Sequence, residues 1–74
     1  MSKEQISTVF STDDGRGRIV AYEVFTTIEQ TGTIVECKTG VLNVQTEDVL
    51  ELKEPRSREA AIRQHIQMIK AMYG

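Results

Sequence analysis

Apolar and polar residues alternate with a period near two over roughly the first fifty residues, then with a period near 3.6 to the C-terminus. Residues 6 to 53 hold all seven Val, both Phe, all eight Thr and every glycine except Gly74, which is strand and turn composition. After Glu54, Val, Thr and Phe vanish, and Ala60, Ala61, Ile62, Ile66, Met68, Ile69, Met72 and Tyr73 recur at helical spacing among charged and amide residues. One domain spanning residues 1–74 is expected, with a β-meander over 5–53 and a helix over 55–73. Pro55 suits the first turn of that helix, and Ser57 or Glu54 suits its cap.

Turn chemistry divides the first part. Asp13-Asp14-Gly15-Arg16-Gly17 reads as a five-residue hairpin loop, Thr31-Gly32 and Thr39-Gly40 as tight turns, and Thr46-Glu47-Asp48 as a third break. These predict five strands, near 5–12, 18–30, 33–38, 41–45 and 49–53. The implied registers put Ile6, Phe10, Val20, Tyr22, Val24, Ile28, Val35, Cys37, Leu42, Val44, Leu50 and Leu52 on one face. At 100° per residue, Ile62, Ile66, Ile69 and Tyr73 fall within about 60° of arc and form the stripe expected to cover that face. The fold class is therefore α+β, an antiparallel five-stranded β-meander with one C-terminal α-helix packed on one face. A bent five-stranded meander with one helix also resembles the small SH3-like and Sm-like barrels, which makes a curled barrel plus helix the alternative; no motif carries residue roles over from them.

What the core leaves over supplies the candidate surfaces. The opposite sheet face carries polar residues together with Val9, Ile19, Ala21, Phe25 and Val41, a candidate protein contact surface. A helix flank of Ala61, His65, Met68 and Met72 reads as a second interface edge, because isoleucine already fills the docking stripe. His65 there reads as a half-exposed polar residue. The first strand is a third route to association. The last strand is guarded by Lys53, Glu54 and Pro55, whereas strand one alternates Ser and Thr with apolar residues and is open to pairing with another chain.

Composition narrows the function classes. A chain of 74 residues buries a thin core, so a second copy or another protein is an expected partner. A lone cysteine excludes an intramolecular disulfide, and Cys37 with His65 cannot build a tetrahedral zinc site unaided. No cofactor or metal is expected. No window approaches the ~18 apolar residues of a membrane span or the apolar stretch of a leader, so no membrane association is expected, and a reducing cytoplasm fits the cysteine usage.

Catalytic constellations are thin. Cys37 shares the core face, no carboxylate or thiol lies one helical turn from His65, and Asp13-Asp14-Gly15 lacks the remaining ligands of a calcium loop. Glu29 and Glu36 share an exposed sheet face, poor ground for separating two carboxyl pKa values. The expected role is non-enzymatic: a small self-associating interaction or assembly module. Nucleic acid ranks lower, through a basic strip of Arg16, Arg18, Arg56, Arg63 and Lys70 without interleaved aromatics. An enzyme with a site shared between subunits ranks last. The net charge of −2 conceals a division: residues 1–52 hold four basic and nine acidic groups, residues 53–74 five basic and two acidic. An acidic sheet carrying a basic helix favours a complementary protein surface over a phosphate backbone.

Overall fold

The computed structural model describes residues 2–73, the last by its backbone only. Strands β1 (Ser2–Asp13), β2 (Ile19–Thr31), β3 (Ile34–Asn43) and β4 (Val49–Lys53) precede helix α1 (Arg58–Tyr73). They form an open antiparallel sheet in the order β1-β2-β3-β4, so the class is α+β as expected, with four strands in place of five.

The missing strand boundary is Thr39-Gly40. The chain runs straight through it, with Thr39 opposite Thr26 and Gly40 opposite Phe25. Glycine serves there by lacking a side chain. A Cβ on Gly40 would stand 2.6 Å from Phe25 Cζ and 2.7 Å from the Glu51 carbonyl oxygen. Because no residues are spent on a turn, the parity beyond Cys37 is the reverse of the expected one. Val41 is on the helix side, 2% exposed, while Val44 is 40% exposed and Leu42 half-buried. A bulge between Val41 and Leu42 then leaves Leu50 without an opposite residue and turns Leu52 outward, both more than half exposed. Leu42, Val44, Leu50 and Leu52 are thus not core.

The two long hairpins slip by two residues from the expected registers. Phe10 faces Tyr22 and Ile28 faces Cys37, and Gly32-Thr33 forms the second loop with Gly32 at φ 62°. A slip of two keeps the face, so Phe10, Val24, Ile28 and Cys37 are buried as expected, whereas Val35 near the end of the hairpin is 37% exposed. The first loop is held by its own aspartates: Asp13 Oδ1 accepts from Gly15 and Gly17, and Asp14 Oδ1 from Arg16 and Arg18. Asn43 does the same for the turn into β4, accepting from Gln45 and Thr46.

Ser57 caps α1, its Oγ accepting from the Ala60 N–H at 3.1 Å; Pro55 stands outside the helix. Glu59 in the first turn and Lys70 in the last suit the helix dipole. The helix is rotated by about one residue, ~100°, from the expected docking. Ala61, His65 and Met68 are buried, Ile62, Ile69 and Met72 half-buried, and Ile66 is 48% exposed. The side chain of Tyr73, the last member of the expected stripe, lies outside the described residues. Met68 joins Phe10, Val24 and Val41 in one cluster, edged by Tyr22, Ile69 and Met72, and Ala61 joins Ile28 and Cys37 in another. Replacing Ile66 by alanine is therefore expected to change the unfolding free energy by under about 1 kcal/mol in denaturant melts, not the ~2–5 kcal/mol of a central core isoleucine.

Candidate interaction surfaces

The rotation of the helix has a polar cause. Strand parity puts three hydroxyls, Thr8, Thr26 and Thr39, on the inner face, and Thr26 and Thr39 are fully buried. Buried hydroxyls without partners are costly, and only the His65 flank of the helix offers them one. Thr8 Oγ1 lies 2.9 Å from His65 Nε2, Thr26 Oγ1 2.8 Å from His65 Nδ1, and Thr26 Oγ1 3.0 Å from Thr39 Oγ1. Thr39 in turn donates to the Ala61 carbonyl at 3.5 Å.

That last bond sets the direction of the others. Thr39 accepts from Thr26, Thr26 accepts from an Nδ1–H of His65, and Nε2 accepts from Thr8. The chain is complete with a neutral imidazole, and no buried side-chain nitrogen or oxygen among the described residues lacks a partner. Burial also holds the His65 pKa below its ordinary value. Since the folded state favours the neutral ring, this contribution to stability is present above the unfolded-state pKa of about 6.5 and is lost as pH falls through that value toward the folded one. His65 is thus a buried bridge, not the half-exposed residue expected from the sequence.

The outer face carries the expected patch in part. Val9 and Ile19 are 62% and 70% exposed, and Ala21 and Phe25 are half-buried beside them. Val41 and Met68, expected at an interface, belong to the core, and Met72 packs at its margin. Leu42, Val49 and Leu52 join the outer face instead: Phe25, Gly40 and Leu52 form one cross-strand row, with Leu42 opposite Val49 in the next. The alternation signal was present for these residues, but the false turn at Thr39-Gly40 inverted it. Further along the same face Glu29 lies opposite Glu36, sharing a shallow depression with Lys3 and Lys38.

The basic residues do not converge. Arg16 and Arg18 are exposed in a loop with Asp13 and Asp14, while Arg56 lines an open notch with Val35 and Cys37 near the other end of the sheet, ~30 Å away along the strands. Arg63 and Lys70 are exposed on the helix. Arg58, in contrast, makes a bidentate contact: its Nε donates to Glu4 Oε1 at 2.9 Å and its second nitrogen donates to Oε2 at 3.2 Å. The bond to Arg58 lowers the Glu4 pKa and raises that of Arg58.

The sheet edges differ. β4 is five residues long, bulged, and followed by Glu54-Pro55. β1 pairs with β2 over twelve residues without interruption, and α1 lies chiefly over β2 and β3. Asp14 N–H donates to the Arg18 carbonyl, which makes even-numbered β1 residues the ones bonded to β2. The N–H and C=O groups of Lys3, Gln5, Ser7, Val9, Ser11 and Asp13 therefore point away from the sheet.

Among the described residues no group of three or more His, Cys, Asp or Glu is placed to hold a metal ion, and no helix is long and apolar enough to cross a membrane. Cys37 is buried, and desolvation pushes its thiol pKa up. Comparison with family models, curated proteins and solved structures finds no match.

Proposed function

We propose that this chain is a small non-enzymatic assembly module that self-associates through the free edge of β1. The observation that carries this reading is a twelve-residue edge strand with an uninterrupted register, no bulge, no proline, and no charge from Gln5 to Thr12. Natural sheets usually protect such an edge, and β4 of this sheet is protected. The outer-face patch of Phe25, Leu42, Val49 and Leu52 supports a second contact with protein, because Val49 and Leu52 of β4 remain exposed beside half-buried Phe25 and Leu42 on the neighbouring strands. The scattered cations and the aspartates in the Arg16/Arg18 loop give a nucleic-acid backbone less to grip.

The test is the mass of the full chain in solution with and without Ser7→Pro. The Ser7 N–H points away from β2, so proline there removes an outward donor while leaving the β1-β2 ladder intact. Sedimentation should show the wild type above its 8.3 kDa monomer mass and Ser7→Pro returning to it with an unchanged far-UV spectrum. Equal masses for the two proteins would defeat the edge reading. In the companion variant Leu52→Glu, retention of the wild-type mass would assign self-association to the edge alone.

A further inference from the structure

We infer that two copies pair their β1 strands antiparallel about a two-fold axis on Thr8, joining the two sheets into one of eight strands; the inference rests on the edge reading above and adds its register. Antiparallel pairing of two identical edges must bring outward-pointing residues opposite one another, which for β1 means odd with odd. Four registers keep nine or more residues of the strand paired, with the axis on Ile6, Ser7, Thr8 or Val9.

The Thr8 register is self-complementary. Lys3 meets the partner's Asp13 on the outer face, Gln5 meets the partner's Ser11, and Ser7 meets the partner's Val9. On the inner face Ile6 meets the partner's Phe10 and Glu4 meets the partner's Thr12. Both ends of the strand gain an opposite-charge pair, and the middle gains an apolar one. With the axis on Ser7, Lys3 would meet Ser11 and Glu4 would meet Phe10. On Val9, Asp13 would meet Gln5 and Ile6 would meet Thr12. On Ile6, Lys3 would meet Val9 and Phe10 would meet Ser2. Each alternative loses both the Lys3–Asp13 and the Ile6–Phe10 pairs.

The surrounding structure leaves room for this pairing. Lys3 is exposed and makes no ion pair within the chain among the described residues, and Ile6 is only half-buried because the helix sits over the neighbouring strands. Asp13 is fixed at the end of β1 by its Oδ1, which accepts from Gly15 and Gly17 in the loop. Of the five inward-facing positions around the axis, Glu4 and Thr8 are held in place by Arg58 and His65 from the helix.

Cysteine crosslinking reads the register. Gln5 and Ser11 are exposed and lie six residues apart on one strand, ~20 Å, too far for a bridge within a chain. Across the Thr8 axis they are opposite, at ~5.5 Å between Cα atoms, which suits a disulfide. The full chain carrying Gln5→Cys and Ser11→Cys should convert on mild oxidation to a covalent dimer of twice the monomer mass, and adding Ser7→Pro should abolish it. Lys3→Glu should weaken the dimer by roughly tenfold at low salt and less at high salt. If the wild type sediments as a dimer that Ser7→Pro dissociates, yet no crosslink forms, the Thr8 register is wrong while the edge reading stands. If crosslinking survives Ser7→Pro, the bridge is collisional and the register also falls. A monomeric wild type overturns both.

Discussion

Replacing His65 with alanine lowers the unfolding free energy by about 2–4 kcal/mol and the melting temperature by more than ~10 °C at fixed protein concentration. The substitution removes the imidazole from a site that is 5% exposed and takes a partner from both Thr8 and Thr26. Thr26 and Thr39 stay buried with each other, but Thr26 loses the donor that completes its pair. A cavity adds to the lost bonds. The effect is set by unpaired hydroxyls and not by volume alone, which a second variant shows. His65→Leu restores bulk but not bonding and remains destabilised, whereas adding Thr26→Val to it regains part of the loss, because replacing both partners of a buried bond by apolar groups costs less than removing one. Additive effects of His65→Leu and Thr26→Val in that cycle would argue that the two side chains do not interact.

Gly40→Ala costs about 1–3 kcal/mol, a large effect for a single methyl group in a strand. Alanine ordinarily favours an extended backbone over glycine through the unfolded state. Here the new Cβ meets the Phe25 ring at 2.6 Å and the Glu51 carbonyl of β4 at 2.7 Å. The ring can turn away; the β4 backbone must move as a unit. Truncating Phe25 alongside should therefore fail to rescue the variant. Hydrogen exchange should show β4 amides opening first. Full rescue by Phe25→Ala would mean that the ring alone sets the glycine requirement.

These two sites also mark where local sequence patterns stopped being informative. Thr39-Gly40 has the composition of a tight turn, and nothing within a few residues of it reveals that Phe25, fifteen positions earlier, needs the space above Gly40. Once a turn is placed there, every later parity inverts, which moved Leu42, Val44, Leu50 and Leu52 into the expected core and Val41 out of it. The first two hairpins fared better because an error of two residues preserves the face, so Val9, Ile19, Ala21 and Phe25 were legible as outer-face residues and the open edge of strand one as a hazard. The helix misled by apolarity. Three isoleucines outrank an alanine, a histidine and two methionines on any transfer scale, yet the inner face offered hydroxyls that isoleucine cannot satisfy. The signal was present in Thr8, Thr26 and Thr39 at core parity. Ion pairing of Glu4 with Arg58, 54 residues apart, had no local signature.

The polar seam also determines which surfaces the helix leaves uncovered. Docking the Ala61/His65/Met68 flank commits the inner faces of β2 and β3 to the helix, and leaves the β1 edge and the outer face open. The charge division fits this arrangement: the basic helix is anchored to the acidic sheet by Arg58 and Glu4, while Lys3 and Asp13 at opposite ends of β1 stay exposed.

His65 between the helix and the sheet fixes the docking of α1, and nitrogen NMR of its ring through a pH titration measures this directly. At neutral pH the ring should be a single neutral tautomer, protonated at Nδ1 and accepting at Nε2. Its pKa should fall below about 6.5, with thermal stability declining as pH drops through that value. A mixture of tautomers titrating at an ordinary, solvent-exposed pKa, with stability indifferent to that proton, would contradict the buried bridge and the helix docking built on it.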